Sequence, residues 1–267
     1  MVGCPASFLR FLPLTLPGSP KTPGIKRRPL SKSWHLIGWL SLSMFVSWGF
    51  PSSGNAAPEA GLPIKHIRTT IPILGTTMNE QSEQVGIVAE IYLEFLQRQD
   101  HEGLKIQFLT TPGKFSPYAQ QSVKEALEWV VEAADLNPDS WTVRFILPYP
   151  GVTLYGESLS AMAALNVIAL AKNEPVDEET VLTGTVTPDG DVGTVGGVPL
   201  KILAAHEQHY RRVLIPEEPD VADGDWETPF LMEVTPVRSI NKAYLALTHR
   251  PLRSRLNDQP LAARVSR

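Results

Sequence analysis

Gly196-Gly197-Val198-Pro199-Leu200-Lys201-Ile202-Leu203-Ala204-Ala205-His206 is the stretch on which the reading of this chain turns. Two glycines and a proline precede a short apolar run, which predicts a helix over residues 200–208. Its one lysine sits among apolar side chains. A lysine amine ordinarily titrates near ~10.4, and burial lowers that value by several units. Ser158 lies 43 positions upstream, in Tyr155-Gly156-Glu157-Ser158-Leu159-Ser160, directly before an apolar helical run over residues 161–171. A serine that opens a helix and a desolvated lysine are the two parts of a Ser–Lys pair, in which a neutral amine takes the hydroxyl proton. The plain readings of the same residues are a helix N-cap and a lysine that snorkels to solvent. Spacing alone leaves both open.

Outward from these two segments the pattern alternates strands and helices. Residues 67–74, 85–95, 105–110 and 141–147 read as strands. Residues 117–134 read as a helix with an apolar stripe of Val123, Ala126, Leu127, Val130 and Val131. Residues 158–172 form the helix behind Ser158. Residues 181–186 and 191–195 flank Pro188-Asp189-Gly190, a hairpin turn. Strands at 212–216 and 231–234 and a helix at 239–248 follow. This order predicts an α+β fold in which helices pack on a mixed sheet.

The series of motifs from 147 to 247 resembles the proteolytic domain of Lon proteases. That family carries D-G-P-S-A-G around its serine, then T-G-E-[IV]-[ST] and G-G-L-K-E-K-L-L-A-A, and closes on V-L-I-P-x-E-N and P-V-x-x-[IL]. The matching residues are Gly156-Glu157-Ser158, Leu182-Thr183-Gly184-Thr185-Val186, Gly190-Asp191-Val192, the glycine-lysine stretch quoted above, Val213-Leu214-Ile215-Pro216-Glu217-Glu218, and Pro236-Val237 with Ile240. Upstream, the Gly103–Lys114 segment and Ser122-Val123-Lys124-Glu125-Ala126-Leu127-Glu128-Trp129-Val130 are looser matches. The resemblance covers residues 70–248 and implies the Lon proteolytic fold, which is like ribosomal-protein domain 2. It further implies that Ser158 is the nucleophile, Lys201 its base, and Thr183 a hydroxyl that orients the lysine. The bland reading of Thr183 is a β-branched residue at a strand end.

The departures lie around the serine. Tyr155 stands where the family has aspartate, Glu157 where it has proline, and Leu159-Ser160 where it has A-G; Pro199 replaces the first lysine of G-G-L-K-E-K. A carboxylate at Glu157 is placed to hold Lys201 as its ammonium. Leu159 and Ser160 are placed to crowd N–H groups that would otherwise stabilise an oxyanion.

The chain has 267 residues, of which 43% are hydrophobic and 19% charged. Six of its 24 basic residues and no acidic residue fall within 1–56, so residues 57–267 hold 18 basic against 28 acidic. A net-acidic body argues against general nucleic-acid binding. Basic residues 26–32, an apolar run over 34–50 and small residues before Ala57 read as an export signal. Retention as an anchor and an organelle transit peptide are the alternatives. The expected layout is a leader or anchor over 1–56, a linker over 57–69, the domain over 70–248 and a flexible basic tail over 249–267. Among helical histidines, His206 and His209 have a spacing that metal sites use, but no third ligand clusters with them, so neither metal nor other cofactor is expected.

The 267 residues contain no G-x-x-x-x-G-K-[ST] phosphate loop. The expected function is an ATP-independent serine endopeptidase that cleaves unfolded or flexible polypeptides outside the cytoplasm, in the periplasm for a bacterial source. The resemblance also implies a six-membered ring. Membrane contact is expected only if the leader is kept. The alternative from another class is a non-catalytic binding or scaffold domain on the same fold.

Overall fold

The computed structural model describes residues 65–224 and 226–253. Strands β1 (Lys65–Met78) and β2 (Gln84–Gln97) pair antiparallel over their whole length, from Lys65 opposite Gln97 to Met78 opposite Gln84. Their turn closes on Asn79, whose side-chain oxygen accepts from the N–H groups of Gln81 and Glu83. The period-two pattern of β2 explains its placement: Ile91, Leu93 and Phe95 point into the core, while Tyr92 and Glu94 between them are half-buried. β2 pairs antiparallel with β5 (Trp141–Ile146), and β5 pairs parallel with β3 (Lys105–Phe108). The result is a mixed sheet in the order β1-β2-β5-β3.

A second sheet is parallel throughout. It holds β7 (Thr180–Leu182), β10 (Arg212–Pro216) and β11 (Glu233–Val237), with β10 in the centre. Two short pairs complete the strands: β4 (Lys114–Phe115) with β6 (Thr153–Leu154), and β8 (Thr185–Val186) with β9 (Val192–Gly193). The second pair closes through the Pro188-Asp189-Gly190 turn.

Helix α1 (Pro117–Ala133) starts on Ser116, whose hydroxyl accepts from the Ala119 N–H, with proline at the first helical position. Helix α2 (Ser160–Lys172) is buried at every residue from Ser160 to Ala169 and packs against α1, α4 (Ile240–Thr248), β1 and β2. A helix with no solvent face over these residues is what its almost wholly apolar sequence requires, and the buried Asn166 amide donates to Met162 O. Helix α3 (Val198–Glu207) packs against β2, β1 and β10. The architecture is mixed α+β, as the order of elements predicts.

Some boundaries differ from expectation. β1 begins at Lys65, inside the stretch read as linker, because its far end has a full antiparallel partner in β2. α2 begins at Ser160, which leaves Ser158 in a turn. The strand expected over 231–234 starts at Glu233, since Leu231 adopts a left-handed φ of 64°. Past α4, Lys172 Nζ donates to the carbonyls of Pro251 and Leu252, and Leu252 is 1% exposed in the core. The start of the expected tail is therefore fastened. The leader over 1–56, residues 57–64 of the linker and the tail from 254 lie outside the described residues. No helix among the described residues is long and apolar enough to cross a membrane.

The contact between β2 and α3 is close enough to dictate a glycine. A β-carbon on Gly86 would fall 1.9 Å from the carbonyl oxygen of Leu200, so backbone must move to admit one. Gly86→Ala is expected to destabilise the fold by about 1–3 kcal/mol, read as a lower midpoint in denaturant melts.

Candidate active site

The parallel sheet organises the site. β7 leads through the β8–β9 hairpin and α3 into β10, a crossover that sets the end of β7, the start of α3 and the loop after β10 on the carboxyl side of the strands. In open sheets of this kind, ligands bind at that edge. A cavity of about 780 Å³ opens there, lined by Ser158, Glu157 and Tyr155 from the turn before α2, by Gly196, Gly197 and Lys201 from the start of α3, and by Asp220 and Asp223 from the loop after β10. Gly75, Thr76 and Gln84 from the β1–β2 hairpin also line it.

Ser158 is fixed by backbone on both sides. Its carbonyl accepts from Gly184 N–H at 3.0 Å, and the Gly184 carbonyl accepts from Ala161 N–H at 3.2 Å. Thr183 N–H donates to Leu214 O at 3.0 Å, so the same segment ties the serine turn to β10. The break between β7 and β8 leaves the N–H and carbonyl of Gly184 to reach Ser158 and Ala161, while the Thr183 N–H still bonds β10. The N–H groups of Ser160 and Ala161 are engaged with Glu157 O and Gly184 O. Those of Ser158 and Leu159 donate to no other group among the described residues.

Lys201 is 3% exposed. It lies in the first turn of α3, beside Val198, Ile202 and Ala205, which join Leu74, Val181, Val195, Val213 and Ile215 in the smaller apolar cluster. Burial pushes its amine down from 10.5 to about 8, and the negative charge of Asp223 pulls it partway back. The positive end of the helix works in the same direction as burial, because a cation is disfavoured in the first turn. Lys201 and Ser158 thus face one cavity, without a direct hydrogen bond between their side chains. Apo sites commonly hold such pairs loosely.

Thr183 is fully buried, but it is not among the residues that line the cavity, and its Oγ1 has no hydrogen-bond partner. The hydroxyl of Ser160 is buried and unpartnered as well. Glu157 does face the cavity, yet its Oε2 accepts a 2.6 Å hydrogen bond from the Tyr118 hydroxyl at the start of α1, and it forms no ion pair with Lys201. His206 lies in the last turn of α3 with Nε2 3.2 Å from Phe230 O, and His209 follows the helix in a left-handed turn.

Sequence reasoning missed Asp223 and the hairpin residues. Asp223 Oδ1 accepts from Gly197 N–H at 2.7 Å and Oδ2 from Val198 N–H at 2.9 Å. A signal for such a group existed: α3 starts on Gly197, φ 70°, with no capping side chain of its own, so a remote acceptor was needed. No comparable signal marked Thr76 or Gln84, which reach the cavity only because the hairpin is long.

Comparisons with known proteins bear on the same region. Residues 118–243 match the model of the Lon protease (S16) C-terminal proteolytic domain. An archaeal Lon protease of Archaeoglobus fulgidus is 37% identical over 165 residues, covering 60% of this chain and 25% of that protein. The archaeal Lon protease of Thermoplasma acidophilum is 30% identical over 184 residues, 67% of this chain and 27% of its own length. A Lon protease of Clostridioides difficile is 33% identical over 143 residues, 51% and 17%. The chain thus spans about a quarter or less of the length of these relatives. With a mixed α+β fold consistent with that match, the chain belongs to the family of Lon-type (S16) proteolytic domains.

Proposed function

We propose that this domain is an ATP-independent serine endopeptidase, with Ser158 as nucleophile and Lys201 as general base; the orienting role of Thr183 rests on the family resemblance alone, since its buried Oγ1 makes no hydrogen bond to Lys201. The observation that carries the reading is a buried, partly neutral amine on the same cavity as the serine. With the amine titrating at about 8, roughly a tenth is free base at neutral pH. Ser158 Oγ attacks the scissile carbonyl while its proton passes to Lys201 Nζ. The oxyanion forms beside the unengaged N–H groups of Ser158 and Leu159. Collapse breaks the C–N bond, and the leaving amine takes the proton from Lys201. Water, deprotonated by the same amine, then cleaves the acyl ester and frees Ser158.

Substrates are unfolded or flexible polypeptides. Opening a stable domain takes about 5–15 kcal/mol, and no phosphate-loop motif in these 267 residues couples nucleotide to that work. The basic and then apolar leader supports action outside the cytoplasm, with the leader either cleaved or kept as an anchor. Family resemblance supports a ring of copies, which light scattering on the purified chain checks. The competing reading, a non-catalytic binding domain, draws on Glu157 beside the serine. The Tyr118 hydrogen bond that occupies Glu157 weighs against it.

Incubated with unfolded casein and no ATP, the wild-type chain is expected to produce fragments, and Ser158→Ala and Lys201→Ala are each expected to abolish them. Cleavage that survives both substitutions would overturn the dyad. The pH dependence of kcat/KM is expected to rise through about 8 as Lys201 loses its proton.

The same burial has a stability consequence of definite sign. The folded pKa of Lys201 lies below its unfolded value, so the ammonium is penalised in the folded state at every pH below about 8, and the penalty fades as pH climbs to 10.5. Lys201→Met is expected to raise unfolding free energy at pH 7 by up to about 3 kcal/mol. The gap to wild type should close near pH 10, measured by denaturant melts of both proteins.

Tyr118→Phe removes the hydrogen bond that occupies Glu157 and leaves that carboxylate free to turn toward Lys201. The acidic limb of the activity profile is expected to move to higher pH. Glu157→Gln in the same background should return it.

A further inference from the structure

The loop after β10 is built with more hydrogen bonds than a simple connection requires. Glu217 N–H donates to Val237 O, Thr194 Oγ1 donates to Glu218 O, Ala222 N–H donates to Asp220 Oδ1, and Asp223 N–H donates to Asp220 O. These bonds deliver the Asp223 carboxylate to the N-terminus of α3, where each oxygen takes one backbone N–H, from Gly197 and from Val198. The helix has no acidic residue in its own first turn. Asp223 is therefore the negative group that meets the positive end of α3, and it lines the same cavity as Lys201, one helical turn along.

We infer that Asp223 is the positioning residue of Lys201: from a separate loop it fixes the start of the helix that carries the amine and sets a carboxylate near it. The inference rests on reading Lys201 as the base. Without this charge, burial and the helix end would both push the amine toward its neutral form with nothing opposing them. Other groups on the cavity are less suited to the part. Glu157, from the turn before α2, is hydrogen-bonded by Tyr118. Asp220 has one oxygen occupied by its own loop. Tyr155 offers no carboxylate, and the contributions of β1 and β2, namely Gly75, Thr76 and Gln84, are neutral. Coulombic action on Lys201 comes from Asp223.

The test reads the Lys201 amine directly and needs no substrate. In full-length protein labelled with 13C-lysine, and with the Lys201 signal assigned by its loss in Lys201→Met, the amine is titrated by NMR in wild type, Asp223→Asn and Asp223→Glu. Asparagine keeps an acceptor for α3 but no charge. Its Lys201 is expected to titrate lower than wild type by at least about 0.5 pH unit, and the acidic limb of any peptidase activity should move with it. Glutamate keeps the charge and is expected to restore the wild-type value. A purely structural cap would lower the melting temperature of both variants and move Lys201 in neither, and that result overturns the inference.

Should Asp223→Asn fail to fold, Asp223→Ser, which still offers an uncharged oxygen to the Gly197 N–H, supplies a second arm. Its Lys201 is again expected to titrate lower than in wild type, and an unchanged Lys201 overturns the inference. Coupling that is present in a chain lacking Ser158-dependent cleavage would leave this inference standing and remove the proposed function instead.

Discussion

A lysine amine taken out of water is stable only as long as something holds it there, and Lys201 is held by packing rather than by an ion pair. Its helix is pressed from one side by β2, where the Gly86 backbone leaves no room for a β-carbon against Leu200 O. Val181, Val213 and Ile215 of the parallel sheet join the helix in one apolar cluster. Together these contacts bury the helix that carries Lys201, which is left 3% exposed. The chemistry proposed for the site depends on that burial, since an exposed lysine would stay near its usual ~10.4 and carry almost no free base at neutral pH. The folded state therefore bears a standing penalty, and the larger core around α2 offsets it through burial of apolar area.

The serine is held by a different device. Its turn is joined through Gly184 to the segment that carries Thr183, and Thr183 is joined to Leu214 on the central parallel strand. Backbone hydrogen bonds of this kind fix a position without relying on side-chain rotamers. Because α2 is buried on all sides, the turn that precedes it has little freedom to shift. Ser158 and Lys201 thus arrive from different supports, the turn before a buried helix and a crossover helix, and both line the cavity where the parallel strands end.

Much of this was legible beforehand for identifiable reasons. The period-two run of β2, the apolar stripe of α1 and the proline-aspartate-glycine turn after β8 each carry a local signal, and each forms where its signal lies. The approach of Ser158 and Lys201 to one cavity was legible only through the order of motifs, as no local rule brings residues 43 apart together. What could not be read was set by contacts between distant segments. β1 starts at Lys65 because β2 is long enough to pair with it. Leu252 is buried because Lys172 fastens the chain beyond α4. The carboxylate that closes α3 lies 26 residues past Gly197, in a loop whose sequence resembles any polar connection.

The acidic lining of the cavity bears on why a carboxylate beside the serine is compatible with a lysine whose pKa is lowered to about 8. A free carboxylate a few ångströms away would favour the ammonium and move the amine back toward its ordinary value. Hydrogen bonding changes that balance by spreading and orienting the charge. The Tyr118 hydroxyl occupies Glu157, and two backbone N–H groups at a helix end occupy Asp223. Glu157 is thus committed to a partner other than Lys201, while Asp223, held at the helix end, still pulls the amine upward. Desolvation remains the larger influence, and the amine rests at about 8, between the value that full burial would dictate and the value that a paired lysine would keep. A substitution that looks incompatible with the site in one dimension is accommodated by a tyrosine 39 residues away.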